Sequence, residues 1–247
     1  MHNAGPKDCA NPLIKKLASF VDLAEDDVAA LHALCTNQRM LEAGHSLIEE
    51  GDRPENVFLL LEGWAYRYKH VEDGNRQIVA YLIPGDLCDI HIFILKAMDH
   101  GIALLSEARV AAIPKHQMTA LLRDRPNVAQ ALFWATLVDE ATLREWLLNM
   151  GRRDAFERIA HLFCEMWLRL SQVGLVSDAH QFSLPVTQEQ LGDTVGLTSV
   201  HVNRVLQRMR QEGLIELAGR QLRILDLDRM KEVAGFDPNY LHLERRD

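Results

Sequence analysis

The chain has 247 residues, of which 48% are hydrophobic and 25% charged, and its formal net charge is −8. This length can hold two domains with a substantial core in each. No segment approaches the roughly 20 continuous apolar residues that span a bilayer, and residues 1–16 lack the charged and apolar regions of a secretion signal. We therefore expect a cytoplasmic protein that does not contact membranes.

The four cysteines are scattered and include no C-x-x-C pair; they are Cys9, Cys35, Cys88 and Cys164. This spacing does not match the usual cysteine sites for zinc or an iron–sulfur cluster. We expect reduced structural thiols and no metal site. A redox role for an exposed Cys9 or Cys88 stays open, although nothing nearby marks either as an activated thiolate.

The first half of the chain has the pattern of an antiparallel β-roll. From about Gln38 to Pro114, short β-rich runs alternate with glycines. Two clear strands flank a hairpin turn at residues 72–75, and a Pro84–Gly85 turn follows. A jelly roll or a related barrel fits this spacing.

Helices are predicted after the roll. A short helix is expected near Lys115–Arg123, and a long helix runs from Pro126 to about Met150, where Gly151 ends it. The apolar residues of the long helix cover more than one face, so one face can pack on the roll while another contacts a second copy. The long helix is therefore predicted to form a dimer.

A hinge is predicted between this long helix and the rest of the chain, at Asn149–Arg153. Asp154 can cap the next helix, whose sequence AFERIAHLFCEMWLRL is amphipathic. Rotation at the hinge would reorient the part of the chain that follows it relative to the long helix.

The most informative segment is Val186–Ile215, which is predicted to form two helices that meet at Gly196. The Thr187 hydroxyl can cap the first helix, with Gln190 three residues later. Gly196 tolerates the left-handed conformation that a sharp turn needs, and Thr198 can cap the second helix. This arrangement is typical of a helix-turn-helix that binds DNA.

An apolar stripe on the second helix fixes which of its side chains face outward. Four residues spaced three or four apart form the stripe; they are Val202, Val205, Leu206 and Met209. The face that this stripe leaves free is the one a recognition helix places in the major groove. Its polar members are Ser199, His201, Asn203, Arg204 and Arg208, and we expect these five and the two cap residues, Thr187 and Thr198, to contact DNA.

Arg204 is the best candidate for a direct base contact, because its guanidinium can donate two hydrogen bonds to guanine. After Gly213, the segments Leu214–Ala218 and Gln221–Leu225 are predicted to form a two-stranded wing, whose Arg220 can contact a phosphate. An ordinary helical hairpin with a solvated polar face would explain any one of these features, but not the caps, the glycine, the polar face and the wing together.

The negative net charge does not exclude DNA binding. From Arg152 onward there are 13 basic and 14 acidic residues, so the excess of acid lies mainly in the preceding part. Local arginines can still present a positive surface to phosphate.

The order of β-roll, long helix, hinge and winged helix resembles the Crp/Fnr family of transcription regulators. The resemblance covers nearly the whole chain, and its most specific parts are TQEQLGDTVGLTSVHVNRVLQRMRQEGLI and the glycine-spaced roll with PGDL. It implies an α+β fold with a cyclic-nucleotide-binding-like β-roll and flanking helices over 1–125, a dimerisation helix and hinge over 126–151, and a winged helix-turn-helix over 152–247. It also implies a homodimer that binds an inverted repeat in double-stranded DNA and contacts RNA polymerase.

Two departures from the family pattern affect the implied sites. A family glutamate that contacts cytosine aligns with Val200, which could instead touch a thymine methyl group. In the roll, the Gly-Glu and Arg-Ser pairs of cyclic-AMP binders align with Asp89–Ile90 and His100–Gly101. Without that arginine we do not expect cyclic AMP in its usual mode, and without clustered N-terminal cysteines we do not expect the family's iron–sulfur cluster.

The effector, if there is one, is therefore left open. The tentative pocket comprises residues of the PGDL turn and the polar residues that follow: Gly85, Asp86, Leu87, Cys88, Asp89, His91, Asp99 and His100. Imidazoles among them could bind a metal or haem; alternatively, these side chains cap strands and satisfy backbone groups.

Three functions are consistent with this sequence. The first is a DNA-binding transcription regulator, not an enzyme, whose roll senses a small molecule. The second is a cupin-like metal enzyme, which needs clustered histidines that the CDIHIF segment, with no H-x-H pair, does not supply. The third is a DNA-binding regulator with a purely structural roll.

Overall fold

The structure, a computed structural model, describes residues 11–72, 74–90, 92 and 94–243. The described chain divides into two compact units. The first contains the residues up to Lys69 and Ala80–Leu137, and the second contains His70–Val79 and the residues from Val138 onward. The described residues form both helices and strands, which confirms the predicted α+β fold class.

The first unit begins with two helices, α1 (Pro12–Phe20) and α2 (Glu25–Leu34). Eight strands follow: β1 (Gln38–Leu41), β2 (Ser46–Ile48), β3 (Asn56–Glu62), β4 (Ala65–His70), β5 (Arg76–Leu82), β6 (Leu87–Cys88), β7 (Gly101–Leu104) and β8 (Ala108–Pro114).

These strands form two four-stranded sheets, in the orders β1-β8-β3-β6 and β2-β7-β4-β5. The pairs between β1 and β8, β3 and β8, and β4 and β7 are antiparallel. Both sheets carry fully buried side chains, for example Leu59 on β3 and Ile102 on β7. The predicted roll over 38–114 is confirmed.

The roll is followed by α3 (Lys115–Asp124) and α4 (Pro126–Arg152). Proline at the first position of α4 is favourable, because its fixed φ suits a helix and its missing N–H would have no partner there. The prediction that Gly151 ends this helix is wrong, since α4 continues through Arg152. A glycine inside a helix costs only about 1 kcal/mol relative to alanine, so it does not by itself stop a long helix.

The break after α4 comes instead at Asp154. The Asp154 carboxylate accepts hydrogen bonds from the backbone N–H groups of Phe156 (2.8 Å) and Glu157 (2.9 Å), and the Glu157 side chain accepts from the Asp154 N–H. This capping box starts α5 (Ala155–Gln172) as predicted.

The rest of the second unit contains three short strands and three helices. They are β9 (Gln181–Ser183), α6 (Gln188–Val195), α7 (Ser199–Gln211), β10 (Ile215–Ala218), β11 (Gln221–Ile224) and α8 (Leu227–Ala234), followed by a 3₁₀ turn at Pro238–Leu241. The sheet order is β10-β11-β9. The two predicted wing strands are therefore present, each one residue shorter than predicted, and β9 adds a third strand that the sequence did not reveal.

A buried carboxylate on α5 joins the C-terminal turn to α4. Glu165 accepts hydrogen bonds from Trp146 Nε1 at 2.9 Å and from the Tyr240 hydroxyl at 3.0 Å, and Arg169 Nη1 lies 3.3 Å away. Burial raises the pKa of Glu165, while Arg169 and the two neutral donors oppose that shift. The 3₁₀ turn thus anchors α5, on which the rest of this unit packs.

Candidate nucleic-acid interface

The turn between α6 and α7 has the predicted geometry. Thr187 Oγ1 accepts from the Gln190 N–H at 3.1 Å, and Gln190 Oε1 accepts from the Thr187 N–H at 2.9 Å. Gly196 ends α6 with φ = 67°, in the left-handed region. The Leu197 N–H then donates to the Gly192 carbonyl at 3.1 Å, which closes the turn.

Helix α7 begins at the predicted cap, where Thr198 Oγ1 accepts from the His201 N–H at 3.3 Å. The predicted stripe is buried against the other elements of this unit; its members are Val202, Val205, Leu206 and Met209. Because these four residues fix the rotation of α7, the opposite face is presented to solvent.

Most of the residues predicted to contact DNA lie on α7 or at its cap, Thr198, and Thr187 is the cap of α6. Thr187, Thr198, Ser199, Val200, His201, Arg204 and Arg208 are exposed, and Asn203 is half-buried. Val200 exposes 67% of its surface in the first turn of α7. An exposed valine there can contact the methyl group of thymine.

Arg204 and Arg208 differ in how they are held. Within the described chain, no ion pair or hydrogen bond of Arg204 is found. Arg208 Nε donates to Glu212 Oε1 at 2.7 Å, and the Arg208 guanidinium carbon lies 4.2 Å from the centre of the Phe156 ring. Arg204 can therefore reorient toward a base, whereas Arg208 is already oriented.

Both arginines border a cleft of about 380 Å³ between α7 and the first turn of α5. The side chains of His201, Arg204 and Arg208 line it from α7, and Phe156 lines it from α5. Phe156 and Glu212 were not among the residues predicted to contact DNA. The four-residue spacing of Arg208 and Glu212 could have indicated their pair, but no local signal places Phe156 beside α7.

Arg220 lies at the tip of the wing, in the two-residue turn between β10 and β11. Both turn residues have positive φ, 57° at Gly219 and 63° at Arg220, as the tight hairpin turn with a matching right-handed twist requires. This turn projects an exposed arginine beyond the sheet.

In the roll, Asp89 and His100 form the centre of a compact ionic cluster. His100 Nε2 lies 2.7 Å from Asp89 Oδ2, His100 Nδ1 lies 2.8 Å from Asp99 Oδ1, and Arg67 Nη2 lies 3.5 Å from Asp89 Oδ1. Asp89 has φ = 49°. The two positions aligned with the family's ligand-binding pairs therefore contact each other.

The glycine next to His100 is also closely packed. A Cβ atom on Gly101 would lie 2.4 Å from the ring of Tyr68, whose hydroxyl donates to Glu49 at 3.1 Å. The position aligned with the family's serine thus has an aromatic ring against it.

Two other pocket candidates, Asp86 and Gly85, lie against α1. Asp86 accepts from the Ile83 N–H at 2.9 Å and pairs with Lys16 at 2.5 Å, and a Cβ atom on Gly85 would lie 2.8 Å from the Pro12 carbonyl oxygen. A further candidate, Leu87, is half-buried in β6.

Cys88 is fully buried, so the idea of an exposed redox thiol there is wrong. Burial raises the pKa of its thiol to about 12, which opposes formation of the reactive thiolate. Cys35 and Cys164 are also buried free thiols. Cys9 and His91 lie outside the described residues.

Within the described ranges, no group of three or more histidine, cysteine, aspartate or glutamate side chains is arranged to hold a metal ion. Over the same ranges, every helix is too short or too polar to cross a bilayer.

The ionic cluster predicts a pH-dependent stability of the roll. Burial lowers the pKa of His100, but the carboxylates of Asp89 and Asp99 outweigh that effect and the charge of Arg67, so the net pKa is raised. A histidine whose pKa is raised in the folded state stabilises the fold fully below its unfolded pKa, about 6.5. This stabilisation is lost as the pH rises through the higher pKa of the folded state. His100→Gln should therefore weaken the roll more at about pH 5.5 than at about pH 8.5.

Hydrogen exchange of the β7 amides measures this difference, with His116→Gln, a change at an exposed position on α3, as the control. An equal effect of His100→Gln at both pH values would contradict the assigned charge of His100.

Comparison with known proteins adds two family matches and a set of relatives. Residues 38–125 match the cyclic nucleotide-binding domain, and residues 157–233 match the Crp-like helix-turn-helix domain. The chain is 30% identical to the transcriptional activator protein FnrL of Cereibacter sphaeroides, over 93% of this chain and 92% of that protein. It is 27% identical to the transcriptional activator protein FnrA of Stutzerimonas stutzeri, over 93% and 92%.

Among solved structures, FixK2 from Bradyrhizobium japonicum is similar in fold. The TM-score is 0.71 at 22% identity, and the match covers 81% of this chain and 98% of that chain. The likeness supports the assignment of a β-sheet domain, long helices and a helix-turn-helix domain.

Proposed function

The chain belongs to the Crp/Fnr family of DNA-binding transcription regulators, and we propose that it binds an inverted-repeat operator as a homodimer, with α7 of each copy in successive major grooves. The observation that carries this proposal is the exposed polar face of α7, whose rotation is fixed by four buried residues. A DNA target implies a cytoplasmic location, and the relatives' role as activators supports contact with RNA polymerase.

An exposed apolar stripe on α4 supports the dimer. Five large side chains on this helix expose 43–75% of their surface; they are Phe133, Leu137, Leu143, Leu147 and Leu148. At about 100° per residue, all five lie on one side of the helix axis. Glu140 and Arg144 lie on the same side and pair at 2.7 Å. Such a face is stabilised when a second copy covers it.

A homodimer on DNA predicts the layout of its operator. Two recognition helices related by a two-fold axis contact half-sites about 34–36 Å apart, which corresponds to one helical turn of DNA. Selection of binding sites from random DNA with the purified protein, repeated at several salt concentrations, tests this layout. An inverted repeat with that spacing is the expected result, whereas binding that is salt-sensitive but independent of sequence would contradict α7 as the recognition helix.

Arg204 and Arg220 are expected to contribute in different ways. Arg204→Ala should weaken operator binding by about 1–3 kcal/mol and relax the preference at one base pair, because it removes a bidentate contact to guanine. Arg220→Ala should weaken binding to all sequences evenly and lower the salt dependence by about one phosphate contact. Binding titrations on operator and random DNA measure both effects, and equal losses on the two DNAs for Arg204→Ala would contradict its role.

We also propose that the roll does not bind cyclic AMP in the manner of cyclic-AMP-dependent relatives. The pairing of Asp89 with His100 and the packing of Tyr68 on Gly101 support this, because they place protein side chains at the positions aligned with the ligand-binding pairs. Calorimetric titration with cyclic AMP tests it, and the expected result is no saturable heat. Saturable binding that also tightens operator affinity would overturn this part of the proposal.

A further inference from the structure

In the second unit, two contacts restrain the side chain of Arg208. Its guanidinium lies over the ring of Phe156, 4.2 Å from the ring centre, in a cation–π contact. Its Nε donates to Glu212 Oε1 at 2.7 Å. An arginine on a helix surface normally samples many rotamers, but this one is restrained on one face and at one nitrogen.

The carboxylate that restrains Arg208 is itself fixed from α8. Arg229 Nη2 lies 3.3 Å from Glu212 Oε2, and Arg229 Nη1 donates to the Glu212 carbonyl oxygen at 3.2 Å. Phe156 is fixed as well, because it is buried in the first turn of α5. Three helices therefore contribute to one orientation of the Arg208 side chain.

This orientation leaves the terminal amino groups of Arg208 available. The hydrogen bond to Glu212 uses Nε, and no bond from Nη1 or Nη2 is found in the part of the chain that the structure describes. The side chain is 61% exposed, at the edge of the cleft that Arg204 and His201 also line. Two parallel N–H groups of this kind match the oxygens of a single phosphate.

The position of Arg208 on α7 favours the DNA backbone over a base. Arg208 is nine residues after Ser199, about 13 Å along the helix axis, whereas the residues near the N-terminus of a recognition helix contact base edges. Arg204 and Arg208 are one helical turn apart, so a phosphate at Arg208 would flank a base contacted by Arg204.

We propose that Phe156 and Glu212 are positioning residues that hold Arg208 for a bidentate contact with one DNA phosphate. This inference rests on the proposed DNA binding. It assigns a function to the start of α5, immediately after Asp154, because any shift of α5 relative to α7 would move the Phe156 ring away from the guanidinium.

The test compares Phe156→Leu, Arg208→Ala and the double variant in DNA-binding titrations across a range of salt concentrations. Arg208→Ala should weaken binding to all sequences by at least about tenfold and reduce the salt slope by about 1. Phe156→Leu should weaken binding by about two- to fivefold, the size of an exposed cation–π contact, with an unchanged salt slope because no charge is removed. In the Arg208→Ala background, Phe156→Leu should have no further effect.

Phe182→Leu is the matched control, since Phe182 is a buried phenylalanine of the same unit on β9. It should leave DNA affinity unchanged at a temperature where both proteins are folded. Arg208→Lys gives a test that does not alter the core: it retains the charge and the salt slope but should lose affinity, because an ammonium group cannot make the bidentate contact.

The outcomes separate this inference from the function on which it rests. Absence of DNA binding by the unmodified protein would contradict the proposed function itself. If that protein binds but Arg208→Lys matches it, or if Phe156→Leu costs the same with and without Arg208, the positioning role is wrong while the DNA-binding function stands.

Discussion

Leu147→Glu should convert the proposed dimer into monomers and weaken binding to the proposed inverted repeat by about 10²–10⁴-fold, the usual gain from linking two binding modules. Leu147 exposes 75% of its surface, the most of the apolar residues on the α4 stripe. A glutamate there would bring a charge into the apolar contact between two copies, where it is costly to bury. Sedimentation measures the oligomeric state, and titration on full and single half-sites measures the affinity.

A matched control is available at Leu175, which exposes 46% of its surface, lies in the same unit and is outside α4. Leu175→Glu should leave both the oligomeric state and the DNA affinity unchanged. Binding to a single half-site should also be similar for Leu147→Glu and the unmodified protein, because α7 is untouched. A Leu147→Glu protein that remains dimeric would show that the stripe is not the dimer contact.

Features that depend on residues three or four apart could be predicted from the sequence. The caps at Thr187, Thr198 and Asp154 follow from the reach of a short side chain to the next turn of backbone. The buried stripe of α7 follows from the helical period. The left-handed turn follows from Gly196, one of the few residues that adopt that conformation without strain. Each of these predictions is confirmed.

Features that depend on pairing between distant residues could not be predicted in the same way. Strand β9 joins the wing because Phe182 lies opposite Leu222, 40 residues later, and a three-residue strand has almost no periodic signal. The Phe156 contact with Arg208 likewise joins residues on different helices. A sequence reveals that such side chains exist, but not which ones meet.

The roll shows both cases in one site. The departures at Asp89 and His100 were visible in the sequence, and they indicated a changed ligand position. Their mutual contact at 2.7 Å was not visible, because the chain between them includes no regular pattern that fixes how it returns. The same is true of Glu165, whose partners Trp146 and Tyr240 come from opposite sides of it in sequence.

The close packing of α6 against the turn that leads into α7 depends on a second glycine, Gly192, inside α6. A Cβ atom at this position would lie 2.4 Å from the Leu197 carbonyl oxygen, a backbone atom that cannot move without opening the turn. Gly192→Ala should therefore destabilise the second unit by about 1–3 kcal/mol, the usual cost of overpacking. It should also reduce DNA affinity, since α7 begins immediately after this turn.

Gly151→Ala is the appropriate comparison, because Gly151 also lies inside a helix of the same unit and nothing is within 4 Å of its Cβ position. Alanine should stabilise that helix by about 0.5–1 kcal/mol through the reduced backbone entropy of the unfolded chain. The two substitutions add the same methyl group, so opposite signs in chemical denaturation would assign the Gly192 effect to the contact with Leu197. If both substitutions changed the stability in the same direction, the turn would accommodate a side chain at Gly192. The 2.4 Å approach of a Gly192 Cβ atom to the Leu197 carbonyl oxygen would then not constrain the packing of α6 against α7.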